Sequence, residues 1–179
     1  MTKYSQREDR IENWKLHDSM RGWFGLHLYQ QMMFSPDIWL LTADLGYGLL
    51  DNHRDDFPDR YINLGASEQT MVGAAVGLAL SGKIAVCYSI TTFLLYRPFE
   101  WIRNYVNNEK IPVKLIGSGY MNDYAHDGFT HQPSKIELAL VSMMFPKIHM
   151  YFPSRKEEIP EVLNQVLYNN EPSFLCLRR

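Results

Sequence analysis

Asn63-Leu64-Gly65-Ala66-Ser67-Glu68-Gln69-Thr70-Met71-Val72-Gly73 places one acidic residue where a short apolar run gives way to a segment of small residues. Before it, Tyr61-Ile62-Asn63-Leu64 reads as a strand. After it, Met71, Val72, Ala74, Ala75, Val76, Leu78, Ala79 and Leu80 carry no charge, so the segment reads as a helix packed nearly all round. A carboxylate at the mouth of such a helix has two uses. It can serve the first-turn amides as a cap, or it can accept a hydrogen bond from a ligand's ring nitrogen. The stretch alone allows both.

Outward from there, strand-like and helix-like runs alternate with little linker. A helical stretch from Arg7 to Phe34, broken near Asp18-Ser19, precedes an apolar strand, Ile38 to Ala43, that ends at Asp44. A polar, Gly-containing loop then runs to Asp56. Beyond the Glu68 helix come a strand from Lys83 to Ile90, an aromatic helix from Thr92 to Asn107 and a strand from Val113 to Ile116. A helix from Pro133 to Met144 and a strand from Ile148 to Phe152 follow. Ser154 is expected to cap a helix reaching Tyr168, with Glu157 completing a capping box, and Ser173 to Leu177 closes the series. This order, with near-continuous apolar strands, predicts an α/β fold: a doubly wound, mostly parallel sheet with helices on both faces. Ligands of such sheets sit beyond the carboxyl ends of the strands. Asp44, Glu68, Thr91-Thr92 and the loop Gly117 to Gln132 all fall there.

Composition narrows the rest. At 179 residues, 46% hydrophobic and 13% aromatic, the chain is expected to be one domain spanning residues 1–179, with residues 1–18 an N-terminal helix or extension. A formal net charge of -2 gives no electrostatic case for nucleic acid or an anionic membrane. No apolar stretch approaches a membrane span and no leader-like segment opens the chain, so a soluble cytoplasmic protein is expected. Cys87 and Cys176 lie in apolar strand runs and read as reduced core residues.

The loop His126-Asp127-Gly128-Phe129-Thr130-His131-Gln132-Pro133 could supply proton carriers, hydrogen bonds to a sugar hydroxyl, or metal ligands. The last reading is the weakest, because no third ligand cluster accompanies it, and no metal site is expected in this chain. Phe93 and Tyr96, three apart on a helix, share a face suited either to the core or to stacking a flat heteroaromatic ring.

Ser67-Glu68-Gln69 within a Gly/Ala-rich helix, Thr92-Phe93 heading the next helix, and Asp127-Gly-x-Thr-His-Gln-Pro133, in that order, together resemble the pyrimidine-binding domain of transketolase. The resemblance runs from about Arg21 to Arg179. It implies a thiamine diphosphate enzyme in which this domain grips the aminopyrimidine, while a second, diphosphate-binding chain or segment holds the diphosphate and Mg2+. Glu68 matches the glutamate that bonds the pyrimidine ring nitrogen and favours the imino tautomer, which lets the exocyclic nitrogen take the thiazolium proton. Phe93 and Tyr96 match aromatic residues around that ring, and Asp44 a polar residue near the cofactor. Asp127 and His131 match residues that contact the donor ketose, His131 close to its reacting carbons. Arg21 and Arg179 fall where transketolases place arginines on the sugar phosphate.

There are departures. Phe129 stands where transketolases usually have proline, His126 where they have an acidic residue, and Gly119 or its neighbours where a phosphate-holding histidine is expected. A standard pentose-phosphate substrate is thereby put in question, but not the cofactor chemistry. The expected assembly is a heterotetramer with a diphosphate-binding transketolase subunit, acting on a sugar or sugar phosphate. Exposed aromatics and some of the 9 Met would supply the apolar interface. Three rivals remain open: the β-type subunit of a 2-oxoacid dehydrogenase or deoxyxylulose phosphate synthase type enzyme, a non-catalytic subunit that kept the fold, and a flavodoxin-like module. The last lacks a Gly-rich phosphate loop after its first strand.

Overall fold

Period-two alternation in the central strands decides what each face of the sheet sees. In β3 (Ile84–Ile90), Val86 and Tyr88 point into one apolar layer while Ala85 and Cys87 point into the other. The computed structural model describes residues 3–179 and contains one six-stranded, all-parallel sheet in the order β2-β1-β3-β4-β6-β5. The other strands are β1 (Ile38–Thr42), β2 (Tyr61–Asn63), β4 (Lys114–Ser118), β5 (His149–Tyr151) and β6 (Ser173–Leu177). β4 and β6 are buried along their whole length, whereas the edge strands β2 and β5 are not. That is the burial expected of a sheet covered on both faces.

Helices α2 (Met20–Phe34) and α8 (Ile159–Tyr168) cover one face through Phe24, Leu28, Met32, Leu163 and Val166. The opposite layer is built by α4 (Glu68–Leu80), α5 (Thr91–Tyr96) and α7 (Lys135–Met144), whose Met71, Val72, Ala75, Leu94 and Val141 meet Cys87, Leu115 and Phe174. Successive connections from β1 run to opposite sides, to the edge strand β2 and then inward to β3, which opens a crevice at the carboxyl ends.

Several local expectations change. The N-terminal helical stretch is two helices, α1 (Lys3–Glu12) and α2, separated by an irregular segment. The break falls where expected: Ser19 caps α2, its Oγ accepting from the Gly22 amide at 3.1 Å. A side chain at Gly22 would run into the His17 carbonyl. The polar loop before Asp56 contains a short charged helix, α3 (Asp51–Asp56). It is held by Tyr29 Oη donating to Asp56 at 2.6 Å and by an Arg10–Asp56 ion pair at 2.7 Å. α4 is not packed all round, for Gly77 and Leu80 are exposed on the side away from the sheet.

The aromatic helix is interrupted at Pro98, which can neither donate an amide proton nor avoid the preceding turn. It resumes as α6 (Phe99–Trp101) and winds on as a π-helical run, Ile102–Asn108. The capping box expected at Ser154 and Glu157 is absent. A 3-10 turn, Lys156–Glu158, intervenes, Glu158 reaches the Ser154 amide instead, and Pro160 sits in the first turn of α8. The reciprocal box occurs at Ser134 and Glu137, one residue past Pro133, so α7 begins at Lys135. Cys87 and Cys176 are free, buried thiols, and burial pushes the Cys176 pKa up to about 12. No helix among the described residues is long and apolar enough to cross a membrane.

Candidate active site

Ser89 shares a face of β3 with Cys87, so the end of that strand meets the first turn of α4, where Glu68 is the first helical residue. Glu68 is only 1% exposed. Its Oε1 accepts from Ser89 Oγ at 3.0 Å and its Oε2 from Arg97 Nη1 at 2.8 Å. Both oxygens are therefore turned toward the strand end and not to the amides of α4, which sets aside the capping role. Arg97 lies one residue beyond α5, 45% exposed, and its guanidinium stacks 3.7 Å above the centre of the Phe93 ring. Phe93 in turn meets His131 edge to face, with centroids 4.7 Å apart. Three expected site residues, Glu68, Phe93 and His131, are thus linked, with Arg97 between the first two.

The loop after β4 supplies the other half. A 3-10 run, Met121–Asp127, is followed by Gly128 at φ 90 and a single turn, Phe129–His131. Thr91 and Thr92, the first residues of α5 just past β3, tie this loop down through the carbonyls of Gly119 (2.7 Å) and Thr130 (2.6 Å). Asp127 pairs with His126 at 3.1 Å, and His126 Nε2 lies 3.1 Å from Arg179 Nη1. Arg21, at the start of α2, donates to Tyr124 Oη at 3.1 Å, and Arg179 lies over the same ring, 5.3 Å from its centre. Tyr124 therefore joins Arg21 to Arg179, and its ring centre is 6.5 Å from that of His131. All these residues stand at the carboxyl end of the sheet.

Two expected members stand apart. Tyr96 turns toward α7, its hydroxyl donating to Glu137 at 2.9 Å. Burial and that carboxylate push the phenol pKa up to about 12, while the Ser134 cap holds Glu137 below the usual carboxylate range. Phe93 and Tyr96 both lie in α5, three residues apart, yet Phe93 meets Arg97 and His131 whereas Tyr96 meets Glu137. Asp44, at φ 56 beyond β1, accepts from the Tyr47 hydroxyl, and its amide donates to Asn63 Oδ1 at 2.9 Å. Among the described residues no group of three His, Cys, Asp or Glu side chains converges on a point as metal ligands would.

The sequence alone does not single out Ser89, Arg97 or Tyr124. Ser89 has a readable signal, since the alternation of its strand puts it on the Glu68 side. Arg97, a lone cation in an aromatic helix, is conspicuous only once Glu68 is known to be buried.

The chain matches the family described as transketolase, pyrimidine binding domain, over residues 18–179. It is 33% identical over 122 residues to one subunit of the apulose-4-phosphate transketolase of Actinobacillus succinogenes, covering 68% of this chain and 39% of that protein. It is 32% identical over 155 residues to a 1-deoxy-D-xylulose-5-phosphate synthase of Dehalococcoides mccartyi, covering 85% of this chain and 23% of that protein. Among solved structures, a split gene transketolase described as an inactive beta4 tetramer superposes with a TM-score of 0.77 at 26% identity, covering 90% of this chain and 52% of that one. The chain spans at most about half the length of these proteins. A parallel sheet with a buried glutamate at the head of its second crossover helix defines a class, and the match over nearly the whole chain names it: the chain belongs to the transketolase pyrimidine-binding-domain family.

Proposed function

We propose that this chain is the pyrimidine-binding subunit of a two-chain, transketolase-type enzyme that moves a two-carbon ketol unit between sugars, active only with a partner that holds the diphosphate and Mg2+. The observation that carries the reading is Glu68. It is a fully enclosed carboxylate at a strand-end crevice, beside an aromatic face, with one of its oxygens engaged only by a side chain that also reaches solvent. Residues that fit an aminopyrimidine are present: a carboxylate for the ring nitrogen and the Phe93 face for the ring itself. When bound, thiamine diphosphate would supply the carbon nucleophile that accepts and releases the ketol unit. Glu68 would exchange Arg97 for the pyrimidine nitrogen and hold the proton there. His131, against Phe93, and Asp127 would face the donor's hydroxyls, and Arg21 and Arg179 its anionic end.

Support for a partner comes from the surface. α7 presents Ile136 (72% exposed), Leu140 (52%) and Met143 (77%) along one stripe, and Phe129 (83%) lies in the preceding turn. Such a stripe is out of place on a free surface and suits an obligate interface, in a heterotetramer placed in the cytoplasm. A second reading, a subunit of deoxyxylulose phosphate synthase type, draws on the 32% identity over 85% of the chain. It predicts decarboxylation of a 2-oxoacid in place of ketose cleavage.

The test is Glu68→Gln in the reconstituted pair. The amide keeps the shape but cannot supply the proton, so assembly should persist while turnover falls by about two orders of magnitude or more. Near-full activity would return Glu68 to a structural role. Assaying a ketose and pyruvate side by side separates the two readings.

A further inference from the structure

Gly119 and Tyr124 compete for one volume at the end of β4. Gly119 has φ 93, its amide donates to the Leu177 carbonyl at 2.8 Å, and its carbonyl accepts from Thr91 Oγ1 at 2.7 Å. With both backbone groups engaged it has little room to withdraw. A Cβ there would collide with Cε2 of Tyr124 and lie 2.5 Å from its Cδ2. Glycine at 119 is what allows the Tyr124 ring to lie down on the strand end.

The ring is fixed from every side. The Asp123 carboxylate accepts from the amides of Tyr120 and Arg179, both at 2.9 Å, and so pins the loop to the end of β6. Tyr124 Oη lies 2.7 Å from Ser118 Oγ and accepts from Arg21 at 3.1 Å. The guanidinium carbons of Arg21 and Arg179 lie 6.0 and 5.3 Å from the ring centre. Neither guanidinium has a carboxylate in salt-bridge range among the described residues, and Arg21 Nε is buried with no hydrogen-bond partner. Two uncompensated cations gathered around one ring, with a buried donor left over, call for an oxyanion.

We propose that Tyr124 is the specificity-determining residue of this site: its hydroxyl and ring hold Arg21 and Arg179 as a pair that receives the terminal oxyanion, phosphate or sulfonate, of a sugar substrate. This rests on the transketolase-type reading for the word substrate, but not for the anion. Tyr124 acts through the two arginines and is a positioning residue. Its ring also occupies the space into which a side chain at 119 would project.

The experiment compares wild type and Tyr124→Phe, each assembled with the partner subunit, on D-fructose 6-phosphate, 6-deoxy-6-sulfo-D-fructose and D-fructose as donors. The ratio of kcat/KM for an anionic donor to that for D-fructose should fall about tenfold in the variant, through KM. A fall for the phosphate alone or the sulfonate alone supports the proposal and identifies the oxyanion. An equal loss on all three donors, or no loss, overturns it, since a structural defect would not distinguish donors by charge. A complex inert toward every donor removes the transketolase-type reading, and calorimetry with inorganic phosphate then decides: binding should weaken about tenfold in Tyr124→Phe, and equal binding by both proteins overturns the proposal. Gly119→Ala should depress Tm far more in wild type than in a Tyr124→Val background, and equal losses would overturn the shared volume.

Discussion

Arg97 holds Glu68 and Phe93 at once, its guanidinium 2.8 Å from the buried carboxylate and 3.7 Å above the ring centre. A planar donor stacked on Phe93 and bonded to Glu68 makes the two contacts assigned to an aminopyrimidine, so the two cannot occupy the place together. Arg97→Ala leaves a buried carboxylate without its cation. Breaking a wholly buried pair costs about 3–5 kcal/mol, and the solvent exposure of Arg97 reduces this to about 1–3 kcal/mol. The expected outcome is a lower Tm for the variant chain without ligand, partly restored in the complex by thiamine diphosphate, with the cofactor bound more tightly than by wild type. Weaker cofactor binding by Arg97→Ala would mean that Arg97 is a contact and not a competitor.

Phe93 and Tyr96 should separate in the same assay. Phe93→Leu removes the stacking face and is expected to weaken cofactor binding by about 0.5–1.5 kcal/mol. Tyr96→Phe removes only the bond to Glu137 at the start of α7, a stability effect of about 0.5–1.5 kcal/mol. Its cofactor Kd should match wild type, and a clear rise would return Tyr96 to the ring site.

The apolar stripe on α7 predicts the interface. Leu140→Glu puts a charge in its middle, on a surface that tolerates it in the free chain. The chain should fold with unchanged Tm and fail to co-elute with the partner subunit in size-exclusion chromatography. Normal co-elution would move the interface elsewhere, for instance to Gly77 and Leu80 on α4.

What the sequence disclosed depended on whether the determining pattern is local. Continuous apolar runs announce buried parallel strands, and Ser19 before Met20 announces a helix start, so sheet and layers were legible. α3 was hidden because a six-residue charged helix has no apolar period, and it is held by Arg10 and Tyr29 from elsewhere in the chain. In the site, Glu68 and His131 stood out by residue type at the strand ends. Arg97 and Tyr124 did not, since their meaning lies in contacts across 29 and 103 positions, with Glu68 and Arg21. The spacing of Phe93 and Tyr96 on one helix was legible and both lie in α5, but the partner of Tyr96, Glu137, stands 41 positions away and was not.

Stability should depend on pH through His53, which is wholly buried on α3 with Trp14 and Tyr29 edge-on to its ring. Among the described residues neither ring nitrogen has a partner at good hydrogen-bond geometry, and burial, only partly opposed by the nearby Gly25 backbone, pushes its pKa from 6.5 down to about 3. The folded state keeps His53 neutral where the unfolded chain takes up a proton. Stability is therefore fully present above pH 6.5 and lost as pH falls toward 3, by about 1.36 kcal/mol per pH unit at most. From pH 6.5 to 5, with the unfolded imidazole already half protonated at the start, this amounts to about 1.6 kcal/mol. Urea melts of wild type and His53→Leu across that range should show the variant losing less stability than wild type by that amount, and parallel losses would show that His53 does not titrate with unfolding.

Asp127 should act on the donor and leave the cofactor alone. Its carboxylate is exposed in the loop after β4 and paired with His126, whereas Glu68 and Phe93 belong to α4 and α5. Asp127→Ala removes an acceptor for a sugar hydroxyl, worth about 1.5–3 kcal/mol when the acceptor is charged. That corresponds to roughly a ten- to hundredfold loss in kcat/KM for the donor. The same change frees His126, which keeps its contact with Arg179 at 3.1 Å, so the anion end of the cleft should be altered far less than in Tyr124→Phe. Titrating thiamine diphosphate and the donor separately on the Asp127→Ala complex decides the matter. Cofactor affinity should stay within about twofold of wild type. Weakened cofactor binding with unchanged donor kinetics would put the loop on the other ligand.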